Sequence, residues 1–409
     1  MTPSVSKRGY SGSVFAGLGH PSLFLKSILV LAYLGLIPLT ACRPHDFPQY
    51  PANYREYVYV TNSGSGTVSI YDVVNVRLDR ELPVGQDPVA VAASPKRNEV
   101  YVVNKGSAGG SGSVSIIDSE HNRVVSTIPV SGQPVALALN PDGTRAYVAN
   151  SASNSVSVLD LKTRREIAIL GAGQEPVALR VSPDNKTLAV ANRKSNSVSL
   201  LDPTTGMLRA LFSGCPGAGD ITILPDSSKA FVACSDGHQV MAIALARPDA
   251  HPAEPDRVEA LLDVGRQPAQ VALKPDGGEI FVLNSLSDSI SEVITGTDDV
   301  LGAYLMGDHP VRGLVSADNA LLYVCNLQSQ YVTVYSILDG RRVGGIHGGI
   351  HVGDGPSAMA FSNAGNLLFV VDSRSGDVAV VRTALPSLFT FLPAGRAPNA
   401  IADKAFKVS

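Results

Sequence analysis

The 409-residue chain carries 33 Lys and Arg against 36 Asp and Glu, and 44% of its residues are hydrophobic. A formal net charge of −3 with no basic run offers little to a phosphate backbone, so nucleic-acid binding through general electrostatics is not expected. Its four cysteines form no C-x-x-C-H and no paired zinc spacing, which excludes covalent haem and a cysteine-built zinc site by these criteria, and no cofactor is expected.

Taken from the start, residues 1–26 hold Lys7, Arg8 and Lys26 and no acid, and SILVLAYLGLIPLTA (27–41) is an apolar run ending at Leu39-Thr40-Ala41-Cys42. Basic, then apolar, then small residues before a cysteine is a secretory signal of the bacterial lipoprotein kind, spanning 1–41. It implies cleavage before Cys42 and lipidation of that residue. An uncleaved anchor over 23–41 is the alternative, against which Pro38 and the short run speak. Residues 42–55 then read as a lipidated tether rich in Pro and polar groups. Three of the 33 basic residues and none of the 36 acids precede Cys42, leaving 30 against 36, a net of −6, in the exported part.

From residue 56 to 406 one unit recurs, and its clearest copy is GQPVALALNPDGTRAYVANSASNSVSVLD (132–160). The NPDG turn should join PVALAL and AYVAN as a hairpin, with SVSVLD as a third strand. The residue closing the second strand falls at Asn62, Asn104, Asn150, Asn192, Cys234, Asn284, Asn326 and Asp372, with spacings of 42, 46, 42, 42, 50, 42 and 46. A glycine opens each unit at Gly85, Gly132, Gly173, Gly214, Gly265, Gly307, Gly353 and Gly395. Short strands at this period are the signature of a β-propeller.

On the strength of YVTN (59–62), YVAN (147–150) and the PDG turns, the chain resembles the YVTN-type β-propeller repeat family of prokaryotic surface and periplasmic proteins. The resemblance covers roughly residues 55 to 406, and FVAC at Cys234 and FVVD at Asp372 depart from it. Absence of Trp disfavours the WD40 and tryptophan-docking quinoprotein relatives of the architecture. The expected fold is all-β, a single propeller of eight four-stranded blades, with seven as the alternative. Because EYVYVTN (56–62) has no inner strand before it and GRAPNAIADKAF (395–406) has nothing after it, the C-terminal strand should complete the first blade.

Counting strands outward from the axis, the glycine-proline loops and the Asn-Ser loops should ring one mouth. Their variable tips include Asp87, Glu175, Arg266, Asp308, His309, Asp354 and Arg396, polar residues on a fixed framework, as a binding face requires. One position of the inner strand is Ala90, Ala136, Ala178, Ala358 and Ala400 but becomes Asp220, Gln270 and Arg312 in three consecutive repeats, with Arg180 two residues further along in the fourth. These four should share one polar sector, either recognising an anionic or polar ligand or forming a salt-bridged wet wall. His347 and His351 stand in a glycine-rich extended segment, which argues against a metal pair.

Cys215 and Cys234 should lie close on paired strands, either bonded in an oxidising compartment or as buried thiols, and Cys325 should be buried and inert. No nucleophile elbow or phosphate loop is present. The expectation is a monomeric, membrane-anchored, extracytoplasmic scaffold, at the outer membrane, periplasm or cell surface, that binds a protein, glycan or small ligand without catalysis. The alternative, by fold analogy alone, is an enzyme of lactonase or periplasmic dehydrogenase-subunit type.

Overall fold

A computed structural model describes residues 48–246, 254–344 and 349–408. The expected signal segment, Cys42 with its expected lipidation, and His347 lie outside the described residues. The chain is an eight-bladed β-propeller, and apart from one 3-10 turn at Ser235–Gly237 every regular element among the described residues is a strand.

Alternating β-branched and small residues with a turn every six or seven positions can form only short antiparallel strands. Blade 3 shows the pattern: β8 (Pro134–Leu139), β9 (Arg145–Asn150), β10 (Ser155–Asp160) and β11 (Arg165–Gly171) pair in that order from the inside out. The hairpin register runs Pro134↔Asn150 and Ala136↔Ala149, with a bulge between Pro134 and Ala136. Gly143 in the PDG turn takes a φ of 68°, and Asn140 Oδ1 accepts the N–H groups of Thr144 and Arg145 to close it.

The first blade closes the circle. β33 (Pro398–Lys407) is its inner strand, antiparallel to β1 (Tyr54–Asn62) with Val58↔Asp403 and Val60↔Ile401 in register. The paired region begins at Tyr54, two residues before the boundary expected from the repeat, because β33 runs on to Lys407 and gives Tyr54 a partner. This closure is fixed to both neighbours: Glu56 accepts the Asn363 N–H of blade 8 at 2.8 Å, and Lys404 Nζ donates to Ser94 O of blade 2 at 2.7 Å.

Blades hide their faces against one another. Tyr101, Val103, Ile116 and Ile128 of blade 2 pack on Ala146, Val148 and Leu159 of blade 3, and the same interleaving recurs from pair to pair. Tyrosine hydroxyls add polar ties, Tyr59 to Asn122 Oδ1 at 2.7 Å and Tyr147 to Pro203 O at 2.7 Å. Buried hydroxyls must find such acceptors or lose their hydration uncompensated.

Candidate functional site

The repeat motif explains how the mouth is built. In blade 2 the Asn104 amide donates to Ser113 and Ser115 and its Oδ1 accepts the N–H of Gly85 at 3.1 Å. A Cβ on Gly85 would lie 2.5 Å from Asn104 Cγ, so only glycine lets the loop close over the amide. Two backbone hydrogen bonds then join the glycine-proline loop to the Asn-Ser loop in every blade. In blade 2 they are Lys105 N to Asp87 O and Gly106 N to Gln86 O, and in blade 7 Leu327 N to His309 O and Gln328 N to Asp308 O. The position before the inner strand is left-handed throughout, with φ 50° at Asp87, 55° at Glu175, 55° at Gln267 and 62° at His309. The loop tips are variable in side chain and fixed in backbone.

Blade 5 breaks the motif. Cys234 replaces the asparagine, Met241 stands where the accepting serine would be, and Cys234 is bonded to Cys215 with a Cα–Cα distance of 4.8 Å. Here the covalent bond is added to the two backbone hydrogen bonds that tie the loops, Ser235 N to Gly217 O and Asp236 N to Pro216 O. In blade 8 Asp372 takes the asparagine position and its Oδ2 accepts the Gly353 N–H at 3.0 Å. Burial, with Asp377 beside it, pushes the Asp372 carboxyl up to about 8.

A depression of about 540 Å³ opens in this mouth across blades 4 to 7. Asp220, Gln270, His309 and Arg312 all line it, with Arg193, Asp236, Gln267, Ser235 and Ser285. Arg180 reaches it indirectly, by a 3.6 Å ion pair to Asp220 and a 3.2 Å bond to Leu179 O. The polar inner-strand residues do not have equal roles. Asp220 Oδ2 accepts the Val271 N–H of the next blade at 3.2 Å, and Gln270 Oε1 accepts the Gly313 N–H of the blade after that at 2.5 Å. Both N–H groups belong to the residue that follows the inner-strand bulge. Asp220 and Gln270 therefore stitch blades 5, 6 and 7 together. Arginine has no acceptor, so Arg312 cannot continue the series. Among the described residues no carboxylate pairs with it.

Of the seven expected loop residues only His309 joins this depression. Arg266 folds back to donate to Leu286 O at 2.8 Å, and Asp354 pairs with Arg374 at 3.4 Å. Asp87, Asp308 and Arg396 contribute backbone carbonyls to the loop ties, and none of these five lines the depression at Arg312. The eightfold spacing separates them: residues at equivalent positions in a ring are spread around it rather than gathered. Glu175 lines a second depression of about 590 Å³ between blades 2, 3 and 4, with Lys105, Arg193 and Lys194. These three cations were not singled out from the sequence. Their signal was there, since Lys105 and Arg193 directly follow the motif asparagine where five repeats carry serine.

Fold and mouth together define an eight-bladed propeller with a polar depression on its loop face. The profile of the family described as Lactonase, 7-bladed beta-propeller matches residues 44–224, less than half of the chain. A comparison with curated proteins finds no match. Among solved structures, the chain is similar to the dihydro-haem d1 dehydrogenase NirN in complex with DHE, at 17% identity and a TM-score of 0.67, covering 87% of this chain and 76% of that one. It is similar to apo AztD from Citrobacter koseri at 12% identity, a TM-score of 0.64 and coverage of 86% and 98%. The hydrazine synthase of Kuenenia stuttgartiensis matches at 20% identity and a TM-score of 0.54, covering 68% and 91%. At these identities the likeness is one of fold.

Proposed function

We propose that the protein is an extracytoplasmic binding propeller whose mouth takes an anionic small ligand over blades 4 to 7, held near a membrane by lipid on Cys42. The observation that carries this is Arg312. It occupies a place where five blades have alanine, lines a depression of about 540 Å³, and lacks the carboxylate that a purely structural arginine would have. Its guanidinium can hold a carboxylate or phosphate group through two parallel N–H donors, with His309 and Arg193 on the same wall.

Isothermal titration of the domain from residue 48 onward with galacturonate and with inorganic phosphate tests this. Binding that weakens at least about tenfold in Arg312→Gln is expected, the loss of one charge-assisted contact. No binding of either probe, or binding unchanged in Arg312→Gln, would sink the reading. Metabolic palmitate labelling of the whole chain, lost in Cys42→Ser, checks the anchor.

A second reading, an enzyme of lactonase type, is favoured by the family match over residues 44–224. Ring-opening of a lactone needs a base to activate water, and His309 and Asp236 are the titratable groups of the depression that the blade-to-blade ties leave uncommitted. Hydrolysis of glucono-δ-lactone above the uncatalysed rate, abolished by His309→Gln, would replace the binding reading with this one.

A further inference from the structure

We propose that the ligand carries two or more anionic groups and lies across both depressions of the mouth at once, one group at Arg312 and another among Lys105, Arg193 and Lys194. This rests on the reading of Arg312 as an anion site.

The argument starts from the residue that follows the motif position in each blade. In five blades it is serine, and its hydroxyl always satisfies a backbone carbonyl. Ser63 donates to Ala397 O at 3.1 Å, Ser151 to Gln133 O at 3.0 Å, Ser235 to Pro268 O at 2.6 Å, Ser285 to Pro310 O at 2.8 Å and Ser373 to Gly355 O at 2.8 Å. The fold thus has a settled use for this position. Lys105 and Arg193 break it on either side of blade 3. Their loops are still tied, because Lys105 N to Asp87 O and Arg193 N to Glu175 O, both 2.9 Å, need no side chain. The long cationic side chains add nothing to that tie.

Both instead line the same depression of about 590 Å³, together with Lys194. Among the described residues no carboxylate pairs with any of the three, and Glu175 is the single acid on its wall. Arg193 and Val177 line the depression at Arg312 as well, so the two spaces meet. Two cationic spaces sharing one arginine suit a molecule with two separated anions. Once the first anion is held, the second binds at a high effective concentration.

Titration of the domain with matched single and multiple anions tests the bridge: galacturonate against trigalacturonate, and phosphate against tripolyphosphate. The multiple anion of at least one series should bind at least about tenfold more tightly than its monomer, with a steeper loss in salt. The double variant Lys105→Ser/Lys194→Ser, which touches neither Arg312 nor Arg193, should remove that advantage and leave the monomer's affinity in place. Equal affinities in both series, or an advantage that survives the double variant, would overturn the bridge while leaving the Arg312 site standing. Failure of every probe to bind would overturn both.

Discussion

Cys215 and Cys234 form a disulfide at the one place in the ring where neither asparagine nor aspartate holds the motif position. In blades 2, 7 and 8 the motif residue, Asn104, Asn326 or Asp372, accepts the N–H of the loop glycine, whereas in the fifth the disulfide joins the same two loops. The bond closes a loop with a sequence separation of 19, worth about 3 kcal/mol in the chain-entropy account. Cys215→Ser/Cys234→Ser should lower Tm accordingly by calorimetry. Adding Met241→Ser and converting position 234 to asparagine in that background, Cys234→Asn, should recover about 1 kcal/mol by rebuilding the polar tie.

The inner-strand polar residues should separate stability from binding. Asp220→Ala and Gln270→Ala each orphan a backbone N–H of the next blade and should cost about 1–3 kcal/mol by urea unfolding. Arg312→Gln orphans nothing and should leave the midpoint within about 0.5 kcal/mol while weakening the ligand. A midpoint shift in Arg312→Gln as large as that of Asp220→Ala would mean Arg312 is structural.

Two buried carboxyls give the stability a pH slope. Asp372 sits at about 8, and Asp403, buried beside Glu56 in the closing blade, is also raised. In the unfolded chain both ionise near the ordinary carboxylate value of about 3.9, so unfolding releases protons between there and the raised folded values. Stability is fully present below the unfolded value and falls as pH rises, levelling off for Asp372 near 8. Tm measured from pH 5 to 9 should therefore decline, and Asp372→Asn, which restores the residue of six other blades, should flatten the slope. An unchanged slope in that variant would contradict the assignment.

Gly85 and Gly173 should be intolerant of any side chain. An added Cβ would lie 2.5 Å from Asn104 Cγ and 2.6 Å from Ser195 Oγ respectively. Gly85→Ala should cost at least about 2 kcal/mol, and Gly85→Ala with Asn104→Ala less than the sum of the two single changes, because the clash is with the amide itself. Strict additivity in a thermal-unfolding double-mutant cycle would refute the packing argument.

Most of the architecture was legible beforehand. Eight motif positions, the strand order within each unit and the clasp of Ala397–Ala402 on Val58–Thr61 all follow from repetition, because a unit that cannot bury its faces alone must stack and close. Proximity was legible within a blade, where hairpin register puts Cys215 near Cys234, and along the ring, where one inner-strand position brings Asp220, Gln270 and Arg312 to one sector. Which blade-to-blade gaps open into depressions was not, since that depends on how neighbouring inner strands meet.

The sequence alone thus determined the ring: spacing, turn residues and the alternation of small and β-branched side chains leave an antiparallel blade no other course. Tertiary structure decided the division of labour among residues that look alike in the repeat. Asp220, Gln270 and Arg312 share one position, yet the first two are consumed by N–H groups of the following blade and the third has nothing to accept. That difference is set across a blade boundary, where local sequence pattern has no reach and only the packed ring brings donor and acceptor together.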